Sequence, residues 1–507
     1  MVRRKSVQRA KTEATGNEFL LGDPGLHRGP TPSYAPFSEG DARRIIDAAF
    51  ELMSETGVGF DPVSSLMDRL GDAGCDVSSE GLVKFPIELI RRSLGTVAKS
   101  VKLWNRDGSS FIKIDTQHTW FIPGMTCIKA YDAETGEARD STREDLATVT
   151  RVSDALQNID AVCISCKNVE ESSIHGEIDE FSVLAENTSK PLMYLCEFAE
   201  SLGVVIDMAT AIREGRKELV EKPYFLHCVT PLPLYYAKTH IDQLVEAVEA
   251  GVPLTVGTVT MGGASAPITI AGCVVHSLAT DLTAIVLSQI IREGSFCIGS
   301  SDASFMEVAT GALGAPSQSA LAEMAMCEIA RILGTPRLTT TAGDSKARRF
   351  NQDAVAEISL NMMQAFYSRP AICPYVGSLD EGITYSLHAL LLADELAGQL
   401  RSMWRGIEVN DETLALNLTR TEGPRGNYLA HEHTARYCRR ESWNSRYFGA
   451  HYPTSSGALL DEDLIERIDR ELQDILLNHK PEPLAPGTVQ EMRLIAEKFR
   501  QSYVKPT

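Results

Sequence analysis

The chain has 507 residues, 43% hydrophobic and 23% charged, which excludes wholesale disorder or a fibrous protein and leaves room for two to four domains around a large core. Its 49 Lys plus Arg against 68 Asp plus Glu give a net charge of −19. That balance argues against a general nucleic-acid binder, which must neutralise phosphates, and favours a small molecule or another protein as partner.

The basic opening MVRRKSVQRAKT is followed by no apolar run, so residues 1–37 are expected to form a flexible arm without a secretory signal. Residues 38–118 read as a helical and β cap, with helices over 39–56 and 64–74 and a hairpin over 101–114 turned at Asp107-Gly108. From 119 to 405 eight short apolar runs alternate with amphipathic segments of helical length. The runs are 120–123, 161–166, 192–196, 224–229, 254–259, 296–300, 337–341 and 372–376. The intervening helices are expected at 142–157, 177–187, 202–214, 239–250, 267–292, 318–333, 353–367 and 387–404. The first is opened by Ser141 or Thr142, with Glu144 and Asp145 in its first turn. Strands apolar throughout are buried on both faces, so eight such repeats predict an α/β fold of the closed (β/α)8 TIM barrel type. No GxGxxG turn supports the competing doubly wound sheet. Residues 406–507 form a polar tail ending in helices near 462–477 and 490–501, expected to pack on the barrel or on a neighbouring subunit of a homo-oligomer.

The stretch 268–291 contains His276, Asp281 and Gln289, too many polar groups for a lipid-facing span, and reads as a buried helix. No membrane association is expected. Eleven cysteines lie mostly inside apolar runs, as free thiols of a reducing compartment do, so a cytoplasmic location is expected. Cys163 and Cys166 form a CxxC, but strand spacing sends their side chains to opposite faces, and His431-Glu432-His433 lacks a third ligand at a telling spacing. No metal site is expected.

In barrels of this kind the active site lies at the C-terminal ends of the strands. The polar residues there are Glu197, His227, Ser300, Asp302, Asp344 and Glu381, with the turn MGGASAP at 261–267. Tyr194, Phe225, Phe305 and Tyr375 stand among them. Carboxylates beside ring faces suit a cationic small molecule, although the same residues serve equally as core and helix caps. The turn offers close backbone approach at Gly262 and Gly263 and a helix opened by Pro267, where an anion could dock. A glycoside hydrolase with Glu197 and Glu381 as acid and nucleophile is an alternative, disfavoured by only four Trp.

The blocks 251–291 and 296–316, with TTTAGDSKARRFNQDAV (339–355), GSLDEGITYSLHALLLADELAG (377–398) and HEHTARYCRRESW (431–443), resemble the trimethylamine methyltransferase family over about 38–450. The resemblance implies a barrel that moves a methyl group from a methylated amine to the cobalt of a separate corrinoid protein. Trimethylamine members use pyrrolysine, whereas this chain has standard residues throughout and looks like the non-pyrrolysine group that includes glycine betaine methyltransferases and acts on quaternary amines. No DxHxxG corrinoid motif occurs, so this chain itself is expected to bind no cofactor, with cobalamin arriving on the partner corrinoid protein. On this reading Tyr194, Phe225, Phe305 and Tyr375 wall a cage, and Glu197, Asp302 and Glu381 offset the cation. His227 with Gly262, Gly263 and Ser265 anchors a substrate carboxylate, and Ser300 and Asp344 complete the pocket. Glu381, Asp302 and His227 stand first as catalytic groups. A non-catalytic member that binds a quaternary amine or a corrinoid protein is the alternative.

Overall fold

The computed structural model describes residues 34–311, 313–314, 316–339, 342–448 and 463–503, so the expected arm lies, as far as residue 33, outside the described residues. Eight parallel segments form the centre. They are β1 (Trp120–Pro123), β2 (Val162–Cys163), β3 (Leu192–Leu195), β4 (Phe225–Val229), β5 (Leu254–Val256), β6 (Cys297–Gly299), β7 (337–338) and β8 (Ile372–Val376). From β2 to β6 they make one parallel sheet. Gly299 bridges Arg337, Leu338 bridges Ile372, and β8 pairs in parallel with β1. The amide of Asp160 then donates to the Phe121 carbonyl at 2.9 Å, joining β1 to the entry of β2 and closing the ring. The predicted (β/α)8 barrel is present, with the first and last strands at their expected limits.

Each strand is followed by a helix: α1 (Arg143–Ala155), α2 (Ile174–Asn187), α3 (Ala199–Ile212), α4 (Lys238–Ala250), α5 (Ile270–Ile291), α6 (Pro316–Leu333), α7 (Gln352–Ser368) and α8 (Leu387–Trp404). Thr142 caps α1 in a reciprocal capping box with Asp145, as its sequence predicts. Helix α5 starts at Ile270 with Thr269 as its N-cap residue, three residues later than the Pro267 start expected from the sequence. It is the one described helix long and apolar enough to cross a membrane, and most of it is buried in the core.

Two strands run on past the barrel rim, as Val259–Gly262 after β5 and Asp302–Met306 after β6, and pair in parallel beside Leu313–Gly314. Gly257 allows this splay, since a Cβ there would stand 2.1 Å from the Ser300 carbonyl carbon. The predicted hairpin, Val101–Trp104 with Phe111–Ile114, closes the opposite end. Its Leu103, Ile112 and Ile114 pack into the lumen against Trp120, Ile122, Met193, Leu226 and Ile298. The tail helices Leu464–Asn478 and Pro486–Ser502 pack back on the barrel, the first tied by Asp469 to His388 on α8 at 2.5 Å. All eleven cysteines are free, ten of them buried.

Arg401 on α8 and Asp160 form a fully buried pair at 2.5 Å, and Asp160 also accepts the Phe121 amide. Burial alone raises the Asp160 carboxyl, and Arg401 offsets part of that cost. Arg401→Met is expected to destabilise the fold by about 3–5 kcal/mol by leaving a buried carboxylate unpaired, while Arg401→Met with Asp160→Asn recovers most of it. Denaturant unfolding of the two variants measures this.

Candidate active site

Strand alternation decides which side chains reach the lumen. Cys163, Met193, Leu226, Cys228 and Ile298 belong to the interior cluster, and their neighbours Val162, Leu192, Phe225, Val229 and Cys297 face the helices. Register carries Cys228 alongside Thr255 and Ile298, so Thr255 shares the lumen face.

This parity overturns four of the expected site residues. Tyr194 faces outward, its hydroxyl donating to the Glu177 carbonyl on α2 at 3.1 Å and its ring edge-on to Phe181. Phe225 packs against the same Phe181. His227 also faces outward, 3.2 Å from Gln243 on α4, and burial pulls its imidazole down to about 4, so it stays neutral. Phe305 lies on the helix-facing side of the rim sheet, with Gly262 directly against its ring. All four are core, and none walls a cage or anchors a carboxylate.

The Gly-rich turn is also corrected. The amides of Gly263, Ala264, Ser265 and Ala266 are spent within the turn, on the carbonyls of Met261 and Ala266, and the Ser265 hydroxyl accepts the Met261 amide at 2.9 Å. With α5 starting only at Ile270, no free helix N-terminus lies beside Gly262 and Gly263 to hold an anion.

Tyr375, Asp302 and Ser300 remain, with Asp302 within electrostatic reach of Tyr375. Ser300 and Asp302 continue the inward parity of Ile298, whereas Ala303 and Phe305 face the helices. Tyr375 belongs to the lumen cluster at the bulged end of β8. Burial, together with the nearby charge of Asp302, raises its phenol well above the ordinary value, so the ring carries a neutral hydroxyl. Its backbone stands at φ +67, which a non-glycine residue adopts at a cost. Around it the thiol of Cys163 donates to the carbonyls of Pro123 and Gly124, and burial pushes the Cys228 thiol up to about 12. The buried Thr255 hydroxyl has no hydrogen-bond partner among the described residues.

A buried ionic cluster sets Asp302. Arg337 meets Asp281 at 2.5 Å and Glu323 at 3.7 Å and donates to the Ser301 carbonyl. Asp281 accepts the Ser301 amide, Glu323 accepts the Ala303 amide, and Ser277 on α5 donates to the Asp302 carbonyl. The backbone on both sides of Asp302 is thereby pinned. Arg337 thus pairs with Asp281 and Glu323, and its charge also reaches Asp302.

Glu197, Asp344 and Glu381 sit on the rim. Glu197 is exposed, and its amide donates to Glu177. Glu381, at φ +56, pairs with Lys346 at 3.1 Å. Asp344 accepts from Asn361 on α7, and burial pushes its carboxyl up to about 6. Among the described residues no three His, Cys, Asp or Glu side chains gather in a way that could hold a metal ion.

The sequence model for trimethylamine methyltransferase matches residues 2–502. The chain belongs to that family. A trimethylamine methyltransferase of Desulfitobacterium hafniense is 26% identical over 476 residues, covering 92% of this chain and 95% of that protein. One from Methanosarcina barkeri is 24% identical with the same coverage. A glycine betaine methyltransferase of Desulfitobacterium hafniense is 23% identical, covering 90% of this chain and 95% of that protein. Among solved structures the monomethylamine methyltransferase of Methanosarcina barkeri shares the fold at a TM-score of 0.51 and 13% identity, covering 90% of each chain. This family member is a methyltransferase.

Reading strand ends as a list missed the groups that line the family member's lumen, Cys163, Cys228 and Thr255, and the Arg337 cluster beneath Asp302. Alternation would have paired Leu226 with Cys228, but which face turned inward is not written in a strand apolar on both sides. Phe305→Ala is expected to cost about 3–5 kcal/mol of stability through a core cavity, while the KM for the amine stays within twofold. Thermal unfolding and steady-state kinetics on the same preparation separate the two effects.

Proposed function

We propose that the chain takes a methyl group from a quaternary amine and delivers it to the Co(I) of a corrinoid carried by a separate protein. The observation that carries this reading is the Tyr375 ring, its phenol kept neutral by burial, standing in the lumen within electrostatic reach of Asp302. A quaternary ammonium is held by a ring face and offset by a carboxylate. The names of the relatives, which act on trimethylamine or glycine betaine, support the same substrate class. The wider charge pattern supports it too. The loops after β3 and β6 hold Glu197, Asp302 and Glu307 with no Lys or Arg, and negative charge there draws cations toward the rim.

The reaction needs no proton. The C–N bond breaks with its electron pair left on nitrogen, which departs as a neutral tertiary amine, while the methyl carbon bonds through the two electrons of Co(I), leaving Co(III). The chain's own task is to orient the N-methyl toward the open mouth and exclude water. Tyr375 and Asp302 hold the cation, and because that attraction fades as charge leaves nitrogen, affinity is modest. Since His227 and the 262–265 turn do not reach the mouth, the reading rests on the ammonium end, which glycine betaine shares with its analogues. The surface around the mouth suits a protein acceptor. Ile128, Leu232, Val259, Val308 and Ile383, following β1, β4, β5, β6 and β8, are exposed apolar residues on its loops.

Methylation of a reduced corrinoid protein, followed by its visible spectrum with a panel of tertiary and quaternary amines, tests the proposal. Conversion with a quaternary amine supports it, and conversion with none of them overturns it. Tyr375→Ala is expected to lower kcat/KM at least about 100-fold, close to 3 kcal/mol of barrier, whereas Tyr375→Phe stays within about threefold because only the ring is used. Asp302→Asn should fall between them.

The turnover rate should be flat from about pH 7 to 9. Below about 12 the Cys228 thiol stays protonated, burial holds Cys163 and Tyr375 protonated likewise, and Asp344, pushed up to about 6, is ionised throughout that window. A limb inside it, measured at saturating amine, would mean that proton transfer is part of the step.

A further inference from the structure

Lys346, in the loop after β7, joins two parts of the mouth that β7 separates. Its ammonium stands 3.1 Å from Glu381 in the turn after β8 and donates to the Leu313 carbonyl at 3.2 Å. Leu313 belongs to the rim sheet, where it pairs with Met306 on the strand that begins at Asp302. The lysine's own backbone is anchored too, since its amide and the Ser345 hydroxyl both donate to Glu357 on α7, at 2.8 and 2.6 Å.

The two sides differ in how they are held. On the rim side the backbone around Asp302 is fixed by Asp281, Glu323 and Ser277. On the other side Asp380 and Glu381 stand at φ +51 and +56, which non-glycine residues keep only where their surroundings enforce it. Their amides donate to the Ala347 and Ser345 carbonyls at 3.0 and 3.3 Å, so the turn follows the loop that carries Lys346. Gly382 comes next, and a Cβ there would stand 3.5 Å from the Tyr375 ring. The turn is thus the backing of that ring, and a shift of the turn is passed to it.

Resting on the transfer proposed above, we infer that Lys346 is a positioning residue of the reaction. By tying Glu381 to the rim sheet it fixes the Tyr375 ring relative to Asp302, the two groups proposed to hold the ammonium. Glu381 is the other half of the tie and acts through Tyr375, away from the reacting atoms. With both side chains more than a third exposed, the pair adds little to global stability, so its loss is felt in local geometry. A ring face tolerates a small shift of the cation, whereas the line from nitrogen through the methyl to its acceptor does not. The effect therefore falls on kcat and leaves KM nearly unchanged.

Steady-state kinetics of the full chain, with a quaternary amine that it converts and saturating corrinoid protein, test this. Lys346→Met is expected to lower kcat at least about 10-fold, with KM for the amine within about threefold and the melting temperature within about 2 °C. Lys346→Arg, which keeps the charge and the donors, should bring kcat back to within about threefold of the unaltered chain. Amide hydrogen exchange needs no substrate. Over residues 378–385 it should run at least about 10-fold faster in Lys346→Met and in Glu381→Gln than in the unaltered chain. A kcat within twofold in Lys346→Met, no recovery in Lys346→Arg, or unchanged exchange over 378–385 overturns the inference. So does a loss confined to KM, which would make Lys346 a ligand of the substrate. An unaltered chain that methylates the corrinoid protein from no amine overturns the proposed transfer instead, and the exchange rates then decide by themselves whether Lys346 holds the turn.

Discussion

Arg337 stands where the seventh strand enters the barrel, fully buried, with Asp281 from α5 and Glu323 from α6 on its guanidinium and the Ser301 carbonyl as a third acceptor. A buried cation is tolerable only when it is paired and hydrogen-bonded, and here its acceptors come from three different elements. The same carboxylates reach past it to the amides of Ser301 and Ala303. One ionic cluster therefore ties β6, β7, α5 and α6 together and fixes the backbone around Asp302. Two carboxylates share the one guanidinium, and Asp302 stands within its electrostatic reach.

The other described groups of the lumen are neutral. Its thiols and the Tyr375 phenol are kept protonated by burial, and the one imidazole near β4 faces the helices and stays uncharged. Such a cavity provides a ring face, and these thiols, the phenol and His227 are not poised to give or take a proton near neutrality. On the proposed function, geometry and exclusion of water would carry the burden of catalysis, which suits a transfer in which the leaving group departs without protonation.

The end of β8 is where the fold departs most from relaxed geometry. Tyr375, Asp380 and Glu381 all have positive φ, and Gly382 packs against the Tyr375 ring. The bulge between Cys373 and Val376 shifts the strand's register against β1 just before Tyr375, turning its ring into the lumen. Lys346 and Arg348 from the loop after β7 pair with Glu381 and Asp380 and hold this strained turn down. Backbone strain at this strand end places the Tyr375 ring, proposed to meet the substrate, at a position a regular strand would not offer.

Much of this molecule was determined by its sequence. Eight apolar runs spaced by amphipathic helices specify a closed parallel barrel, because strands buried on both faces need helices all round. Thr142 with Asp145 and the Asp107-Gly108 turn act through local hydrogen bonding, so their roles were legible without the fold. A population of carboxylates and rings at the strand ends was legible, and of these Tyr375 belongs to the lumen cluster with Asp302 in its electrostatic reach. Which members of that population face the lumen was decided by tertiary structure. In strands with no polar face, alternation is known but its phase is not, so Tyr194, Phe225 and His227 were indistinguishable from Cys163 and Cys228. Phe305 required the rim sheet, and the pairing of Arg337 with Asp281 and Glu323 joins residues 56 and 14 positions apart in the chain, which only closure of the barrel brings together.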